Sequence, residues 1–369
     1  MDEQATFNHA AQVLAGISAD QRADTALRFY FENHRYLQPP AKRAVSHIVF
    51  VYFRWLSWLD PKASPQKRLE HAMAMHERFV ADPKSVKTEA LAAHAIPKWL
   101  AAEMETPPDY LRQLQSDPAL WIRARPGKGA ALAKALFACE PTERSPDALR
   151  FTGTQDLFRT EQFQTGQFEI QDLASQLVSL AAAPTPGETW WDACAGEGGK
   201  TLHLADLMAN KGVVWATDRN AKRIDTLKRR AARAQIFNYR TDFWDGGSML
   251  PSKTKYDGIL LDAPCSGVGT WQRNPHARWT TTPDDVRELA ATQRVLLQNV
   301  SGSLKPGGRL IYSVCTLTRS ETNAVADAFS AAHPELEPLP ILGGEPRVTL
   351  WPHELNANGM FIAAWRRKK

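Results

Sequence analysis

The chain has 369 residues, 43% hydrophobic and 23% charged, proportions of an ordinary soluble globular protein that exclude disorder as its main theme. That length exceeds one ordinary domain and points to two or three. Lys plus Arg number 45 against 40 Asp plus Glu, a net charge of +5, a bias toward polyanions too small to establish nucleic-acid binding by itself. The four cysteines, Cys139, Cys194, Cys265 and Cys315, form no C-x-x-C pair. Neither a zinc site nor a disulfide framework is therefore expected, and a reducing compartment fits. The opening MDEQATFNHAAQVLAG lacks a basic segment followed by an apolar core, and no apolar run is long enough to cross a bilayer. A cytoplasmic protein without a membrane partner is expected.

In chain order, residues 8–95 read as helical. Apolar side chains recur three and four positions apart, as in Ala26, Phe29, Tyr30 and Val45, Ile48, Val49, Tyr52, Phe53, and Pro39-Pro40 and Asp60-Pro61 divide the helices. Arg35, Lys42, Arg43 and Arg54 lie on these helices, where a solvated face is a better reading than an RNA contact. Residues 97–168 break into short segments with turn signals such as Pro107-Pro108 and Arg125-Pro126-Gly127, which predicts a small α+β region. The alternation at 121–125 puts Arg123 and Arg125 on one face, a basic strip or simply a wet one.

After Pro184-Thr-Pro-Gly187 the pattern becomes βαβ and implies a parallel sheet. Strands are predicted at 188–194, 213–218, 256–262 and 308–315, helices near 200–208, 221–234, 284–303 and 320–332, and two more strands at 347–351 and 359–365. Arg219, Lys222, Arg223, Lys228, Arg229, Arg230 and Arg233 crowd the second of these helices. A solvated helix face explains them at least as well as a polyanion contact.

Chemistry concentrates where these strands end. The stretch DACAGEGGKT at 192–201 is a Gly-rich turn from strand to helix. Its glycines let backbone approach a ligand, and the helix N-terminus favours a negative group. Alone it is compatible with a dinucleotide, a nucleoside sulfonium or neither. Asp218 ends the next strand about twenty residues on, where an acid takes both ribose hydroxyls, so loop and acid together indicate an adenosine-bearing cofactor. Asp242 follows the probable third strand, within reach of an adenine by position, although a lone loop Asp is usually a turn former.

Two cysteines complete the pattern: Cys265 in DAPCSG (262–267) and Cys315 in YSVCT (312–316) sit at the carboxyl ends of consecutive strands, the edge where open α/β sheets bind ligands. A lone Cys is more often a small buried hydrophobe. Two thiols beside a carboxylate and an adenosyl cofactor suit one chemical problem. C5 of cytosine accepts a methyl group only after a thiolate has added to C6, with Asp262 placed to contact N3 and a second thiol available to assist release.

These residues resemble the Fmu/Sun family of RNA cytosine-C5 methyltransferases. Family members carry a D-x-C-A-x-P-G-G-K-T loop, a D-A-P-C-S-G motif, an R-x-P-x-x-x-W stretch and a Y-x-T-C-S motif with a downstream E-N. This chain shows DACAGEGGKT, DAPCSG, Arg273-Asn-Pro275-His-Ala-Arg-Trp279, and YSVCT with Glu321-Thr-Asn323, preceded by Gln171-Asp172-Leu-Ala-Ser175 in place of the family's Q-D-x-x-S. The resemblance implies S-adenosylmethionine as cofactor, Cys315 as nucleophile and Cys265 as the product-release thiol. It implies cofactor contacts from Cys194, Ala195, Gly196, Glu197, Gly198, Gly199 and Lys200, and from Asp218, Asp242 and Asp262. Arg223 is counted with them. DNA cytosine methyltransferases attack from the Pro-Cys motif instead, which makes Cys265 the second choice of nucleophile. Two departures are Gly196-Glu197 where the family has Ala-Pro, and Val314 and Thr316 around Cys315 where it has Thr and Ser.

The implied fold is α/β. A Rossmann-like class I methyltransferase core with a seven-stranded, mostly parallel sheet occupies 169–369. A NusB-like all-helical RNA-binding domain at 1–95 and a linker with a small RNA-recognition-like α+β subdomain at 96–168 precede it. The expected substrate is RNA, small-subunit (16S) ribosomal RNA first and transfer RNA as the alternative, acted on by a monomer. A catalytically weak RNA-binding or ribosome-assembly factor would keep the same fold. A nicotinamide-dependent oxidoreductase is suggested only by the glycines and Asp218, lacks a full G-x-G-x-x-G spacing, and leaves both strand-end cysteines unexplained.

Overall fold

A computed structural model of the protein describes residues 2–18 and 21–369. The chain forms two units, one of Met1–Pro118 with Thr270–Pro283, the other of Ala119–Gly269 with Asp284–Lys369. The expected boundaries at 95/96 and 168/169 fall inside them. No helix among the described residues is long and apolar enough to cross a membrane.

The first unit is helical throughout its described residues. Helix Pro39–Arg54 starts on prolines, whose missing N–H costs nothing in a first turn, and packs against helices Glu3–Ala15, Ala23–Asn33 and Pro65–Ala81. It buries Val45, Ile48, Val49, Tyr52 and Phe53, the apolar stripe seen in the sequence. Arg54 departs from expectation. Its side chain is buried rather than solvated, with Nη1 on Asp117 Oδ1 at 2.9 Å and Nη2 donating to the Gln272 carbonyl at 3.3 Å. The segment Thr270–Pro283, which the sequence placed in the catalytic domain, is woven into this unit. Arg278 is fully buried and donates to the carbonyls of Ala95 and Leu114 at 2.9 Å each, and Trp279 Nε1 donates to Phe53 O at 2.6 Å.

The second unit holds two sheets. A small antiparallel one, ordered β2-β3-β1-β4, uses β1 (Leu120–Ala124), β2 (Cys139–Thr142), β3 (Ser145–Phe151) and β4 (Phe168–Ile170). The large sheet comprises β5 (Thr189–Asp192), β6 (Val213–Asp218), β7 (Tyr239–Phe243), β8 (Tyr256–Asp262), β9 (Leu304–Val314), β10 (Leu336–Pro338), β11 (Arg347–Leu350) and β12 (Met360–Arg367). Its order is β10-β12-β9-β8-β5-β6-β7, with β11 also on β12. The sheet is thus eight-stranded rather than seven, because β10 and β11 share the outer edge of β12. Strands β5 to β9 are mutually parallel, and β12 runs antiparallel to β9.

Both faces of the large sheet are covered, which explains why its strands read as nearly continuous apolar runs. Trp190, Leu260 and Ile311 face one core; Trp191, Ile259, Leu261 and Tyr312 face the other. Strand order reverses between β5 and β8, the switch point at whose carboxyl edge such sheets bind ligands.

Charged pairs fix the small sheet to the helices around that edge. Asp206, on helix Gly199–Leu207, is gripped by Arg123 at 2.5 Å and Arg125 at 2.7 Å, with its side chain 1% exposed. The two arginines of β1 and its end therefore form neither a basic strip nor a wet face. Buried Glu169 of β4 takes Arg230 at 3.0 Å and Arg233 at 2.6 Å from helix Ala221–Arg233. Two residues of the crowded basic run are thus structural, while Lys222, Arg223, Lys228 and Arg229 remain exposed.

Gly258, in the middle of β8, meets the ring of fully buried Trp190 so closely that an added Cβ would stand 2.3 Å from it. Gly258→Ala is expected to destabilise the second unit by about 1–3 kcal/mol through overpacking, read as a lower urea midpoint by tryptophan fluorescence. An unchanged midpoint would show that the Trp190 ring yields freely.

Candidate active site

Strand β5 ends at Asp192, two residues earlier than predicted, and the following loop turns through left-handed backbone at Gly196 (φ 55°) and Gly198 (φ 85°). Such conformations favour glycine. At Gly198 the requirement is doubled, since a Cβ would stand 2.5 Å from Leu227. At Gly196 nothing lies within 4 Å of a Cβ position, so the backbone there borders open space. The Gly196 N–H donates to Asp218 Oδ2 at 2.9 Å, and Arg230 Nη1 donates to the Glu197 carbonyl at 2.9 Å. The loop is therefore held from β6 and from the basic helix. Ala195 is buried, Gly199 opens the next helix, and the Glu197 side chain is exposed.

Lys200, from that helix, reaches across to the end of β8 and places Nζ 2.7 Å from Asp262 Oδ2, while Ser313 Oγ donates to Asp262 Oδ1 at 2.7 Å. Burial pulls the Lys200 ammonium down, but the Asp262 charge and hydrogen bond outweigh it and leave Lys200 above its usual range. Cys194 is pushed up by burial and by the carboxylates of Asp192, Asp262 and Asp218, so it stays a thiol. Asp242 lies within β7 rather than after it, opposite Thr217 in register, with an exposed side chain whose Oδ1 takes the N–H of Phe243 at 2.8 Å. Arg223 is exposed in the first turn of helix Ala221–Arg233. The structure thus gathers Asp192, the 194–200 loop, Asp218 and Asp262 at the switch point and leaves Asp242 and Arg223 on the flank.

Strands β8 and β9 pair in parallel with Asp262 opposite Ser313. Three residues beyond the one and two beyond the other, Cys265 Sγ and Cys315 Sγ lie 3.3 Å apart, both partly buried. The hydrogen bond to Cys315, then burial, and then the charges of Cys315 and Glu321 push the Cys265 thiol well above its usual range. Cys265 therefore stays a thiol, and either sulfur can donate in the bond between them.

The departures from the family pattern have plain places. Val314 is fully buried, packed in the core with Tyr312 and Phe361. The Thr316 hydroxyl is 2.9 Å from Ser266 Oγ and 3.2 Å from Glu321 Oε2, so a hydroxyl after the cysteine is kept and used. Sequence reasoning missed Ser266, Ser313, Gln293 and Glu321 as site residues. Glu321 had a signal in the acid-and-Asn pattern after Cys315; Gln293, inside a long helix, had none.

Among the described residues, one group of three potential metal ligands gathers in the helical unit: His47, His76 and Asp117. Asp117 already bonds the buried Arg54 at 2.9 Å and His76 Nε2 at 3.1 Å. A guanidinium therefore occupies the cationic place.

Asp192 shows how strongly the site excludes water. It is 1% exposed, accepts the Thr201 hydroxyl on Oδ2 at 2.6 Å, and leaves Oδ1 buried without a partner. Burial, opposed by the Thr201 bond and reinforced by Asp262, lifts its carboxyl from 3.8 to about 7. The folded value lies above the unfolded one. The neutral acid therefore stabilises the fold fully below about pH 4, and that contribution is lost as pH rises through about 7. The Asp192→Asn variant lacks this loss: its Tm relative to wild type is expected to rise between about pH 4 and about pH 8, and a constant difference would contradict the assignment.

Residues 179–366 match the family profile described as 16S rRNA methyltransferase RsmB/F. A probable ribosomal RNA small subunit methyltransferase B of Bacillus subtilis is 37% identical over 223 residues, covering 57% of this chain and 50% of the relative. The corresponding protein of Synechocystis is 32% identical over 286 residues, covering 72% and 63%. The chain thus spans half to about two thirds of the length of these relatives. Among solved structures, a protein called PH0851 superposes with a TM-score of 0.80 at 24% identity over 98% of this chain and 97% of that one, which shows the shared fold. A methyltransferase homolog from Pyrococcus horikoshii follows at 0.63 and 28% identity, covering 70% and 90%.

Proposed function

The chain belongs to the 16S rRNA methyltransferase RsmB/F family, and from that premise we propose that it methylates C5 of a cytosine in RNA through a covalent Cys315–C6 adduct. The contact between the Cys265 and Cys315 sulfurs, 3.3 Å apart beside the Lys200–Asp262 pair, carries this reading. A single buried thiol would need no second one. Small-subunit ribosomal RNA is the proposed substrate, in line with the names of the curated relatives. The protein would act as a monomer in the cytoplasm.

The residues fit S-adenosylmethionine, as the open backbone at Gly196 and the unpartnered buried Oδ1 of Asp192 indicate. Residues Cys194 to Lys200, with Asp218 and Asp262, would hold it, and Asp242 and Arg223 are the flanking candidates. When bound, that cofactor supplies an electrophilic methyl group. Everything else is the work of side chains.

Cys315, in contact with the Cys265 thiol, is the nucleophile: its thiolate adds to C6, which turns C5 into an enamine-like nucleophile. Asp262, with one oxygen fixed by Ser313 and the other by Lys200, addresses N3, and the Lys200 ammonium it holds offsets the negative charge that attack on C6 builds there. After transfer, water takes the C5 proton, the electrons of that C–H bond re-form the C5–C6 double bond, and the Cys315–C6 bond breaks with the sulfur leaving as a thiolate. Cys265 eases that break by donating to the departing sulfur.

Cys265→Ala is expected to slow turnover by about 10²–10⁴-fold and to accumulate a protein–RNA adduct that survives denaturation, whereas Cys315→Ala forms none. An adduct with Cys315→Ala instead would move attack to Cys265. Substrate choice is read by transfer of labelled methyl groups to small-subunit ribosomal RNA and to transfer RNA, followed by bisulfite mapping. Methylation of transfer RNA alone would overturn the ribosomal assignment.

A further inference from the structure

Glu321 lies in the 3₁₀ turn Arg319–Glu321 that follows β9, and its side chain is fully buried. Oε1 accepts the Ser266 N–H at 2.9 Å and the Gln293 side-chain amide at 3.0 Å. Oε2 accepts the hydroxyls of Ser266, of Thr316 at 3.2 Å and of Thr318 at 2.8 Å. Gln293 extends the network: its Nε2 also donates to the Pro264 carbonyl at 2.9 Å, and its Oε1 accepts the Tyr312 hydroxyl at 3.0 Å. Ser266 directly follows Cys265, and Thr316 directly follows Cys315.

Packing does not require such a group. Removing a carboxylate from water is costly even when it is well bonded, and apolar side chains of similar volume often fill such sites at no loss of stability. What apolar groups do not supply is direction. Several bonds from two loops to one rigid, planar acceptor fix those loops relative to each other far more narrowly than nonpolar contact does.

We propose that Glu321 is a positioning residue: its carboxylate ties the Pro264–Ser266 turn to the Cys315–Thr318 turn and thereby sets the separation and orientation of the two sulfurs. Its catalytic consequence rests on the two-thiol reaction proposed above, while its geometric content does not. The donors also dictate which substitution spares the clamp. In Glu321→Gln the amide oxygen can take the two N–H donors at the Oε1 position. The amide nitrogen then donates its two N–H groups to two of the three hydroxyls at the Oε2 position, since hydroxyls accept as well as donate, and the Ser266 and Thr316 hydroxyls, 2.9 Å apart, bond each other. Glu321→Ala leaves the Ser266 and Gln293 N–H groups buried without acceptors and unties the turns.

Thiol proximity gives a readout independent of RNA. In the full chain, diamide takes up two electrons and two protons as Cys265 and Cys315 join in a disulfide, and the linked peptides are followed by mass spectrometry. Glu321→Ala is expected to slow this cross-linking about tenfold and to lower kcat for methyl transfer about 100-fold with little change in the KM for RNA. Glu321→Gln is expected to recover most of both rates. Near-ultraviolet circular dichroism establishes that each variant is folded, and if Glu321→Ala is not, Gln293→Leu takes its place under the same criteria. Wild-type cross-linking by a folded Glu321→Ala variant, or a folded Glu321→Gln variant no better than it, overturns the proposal. If cross-linking responds as expected but the wild-type protein transfers no methyl group to RNA, the clamp stands and the two-thiol reaction fails.

Discussion

Parallel pairing of β8 with β9 is the constraint on which the site depends. Fifty residues separate Cys265 from Cys315 along the chain, and only the register that sets Asp262 opposite Ser313 closes that distance. A slip of one residue would turn every side chain on β9 to the other face. It would bury Ser313 away from Asp262 and carry Cys315 away from Cys265. Apolar burial on both faces of the sheet resists the slip, because Ile311 serves one core and Leu310 and Tyr312 the other. Core packing and thiol placement are therefore one requirement.

Electrostatics builds outward from that frame. Lys200 answers Asp262, Arg123 and Arg125 answer Asp206, and Arg230 and Arg233 answer Glu169. Each acid is largely shielded from water, so removing one partner leaves an uncompensated charge in a poorly solvated place, a more expensive change than losing a surface pair. Arg230 also holds the Glu197 carbonyl. The position of the Gly-rich loop thus depends on β4, which lies outside the large sheet. Five cations, Arg123, Arg125, Lys200, Arg230 and Arg233, are consumed in this internal bracing, which is why a run of basic residues was a poor guide to what the protein binds.

The same economy appears at the thiols. Burial and the contact with Cys315 push the Cys265 thiol up, so that sulfur keeps its proton. Hydroxyls from Ser266, Thr316 and Thr318 converge on Glu321. Val314 and Thr316 differ in surroundings, since the residue before Cys315 faces the core while the one after it faces the network.

Most of the α/β half was legible in sequence. Periodicity and turn signals located β6 and β8 at their observed limits and β5, β9, β11 and β12 within a few residues, because hydrophobic period and Gly/Pro punctuation are local properties. They gave no strand at β10 and no range for β7. The Gly-rich loop, Asp218, Asp262 and the strand-end cysteines were visible for the same reason: each sits at the end of a strand whose position the pattern fixes. What the sequence left open was decided by partners distant in the chain. Arg54, Arg123 and Arg125 looked like solvent or RNA contacts, and only folding brings them to Asp117 and Asp206. Thr270–Pro283 read as part of the sheet-bearing half, yet Arg278 and Trp279 donate to carbonyls of the N-terminal unit and the Gln272 carbonyl accepts from Arg54. Sequence alone thus determined which residues stand at the ligand-binding edge, since strand ends are written in local pattern. Tertiary structure alone decided which charges are spent on bracing and how close the two sulfurs come, since both follow from strand register and burial, which no short window of sequence contains.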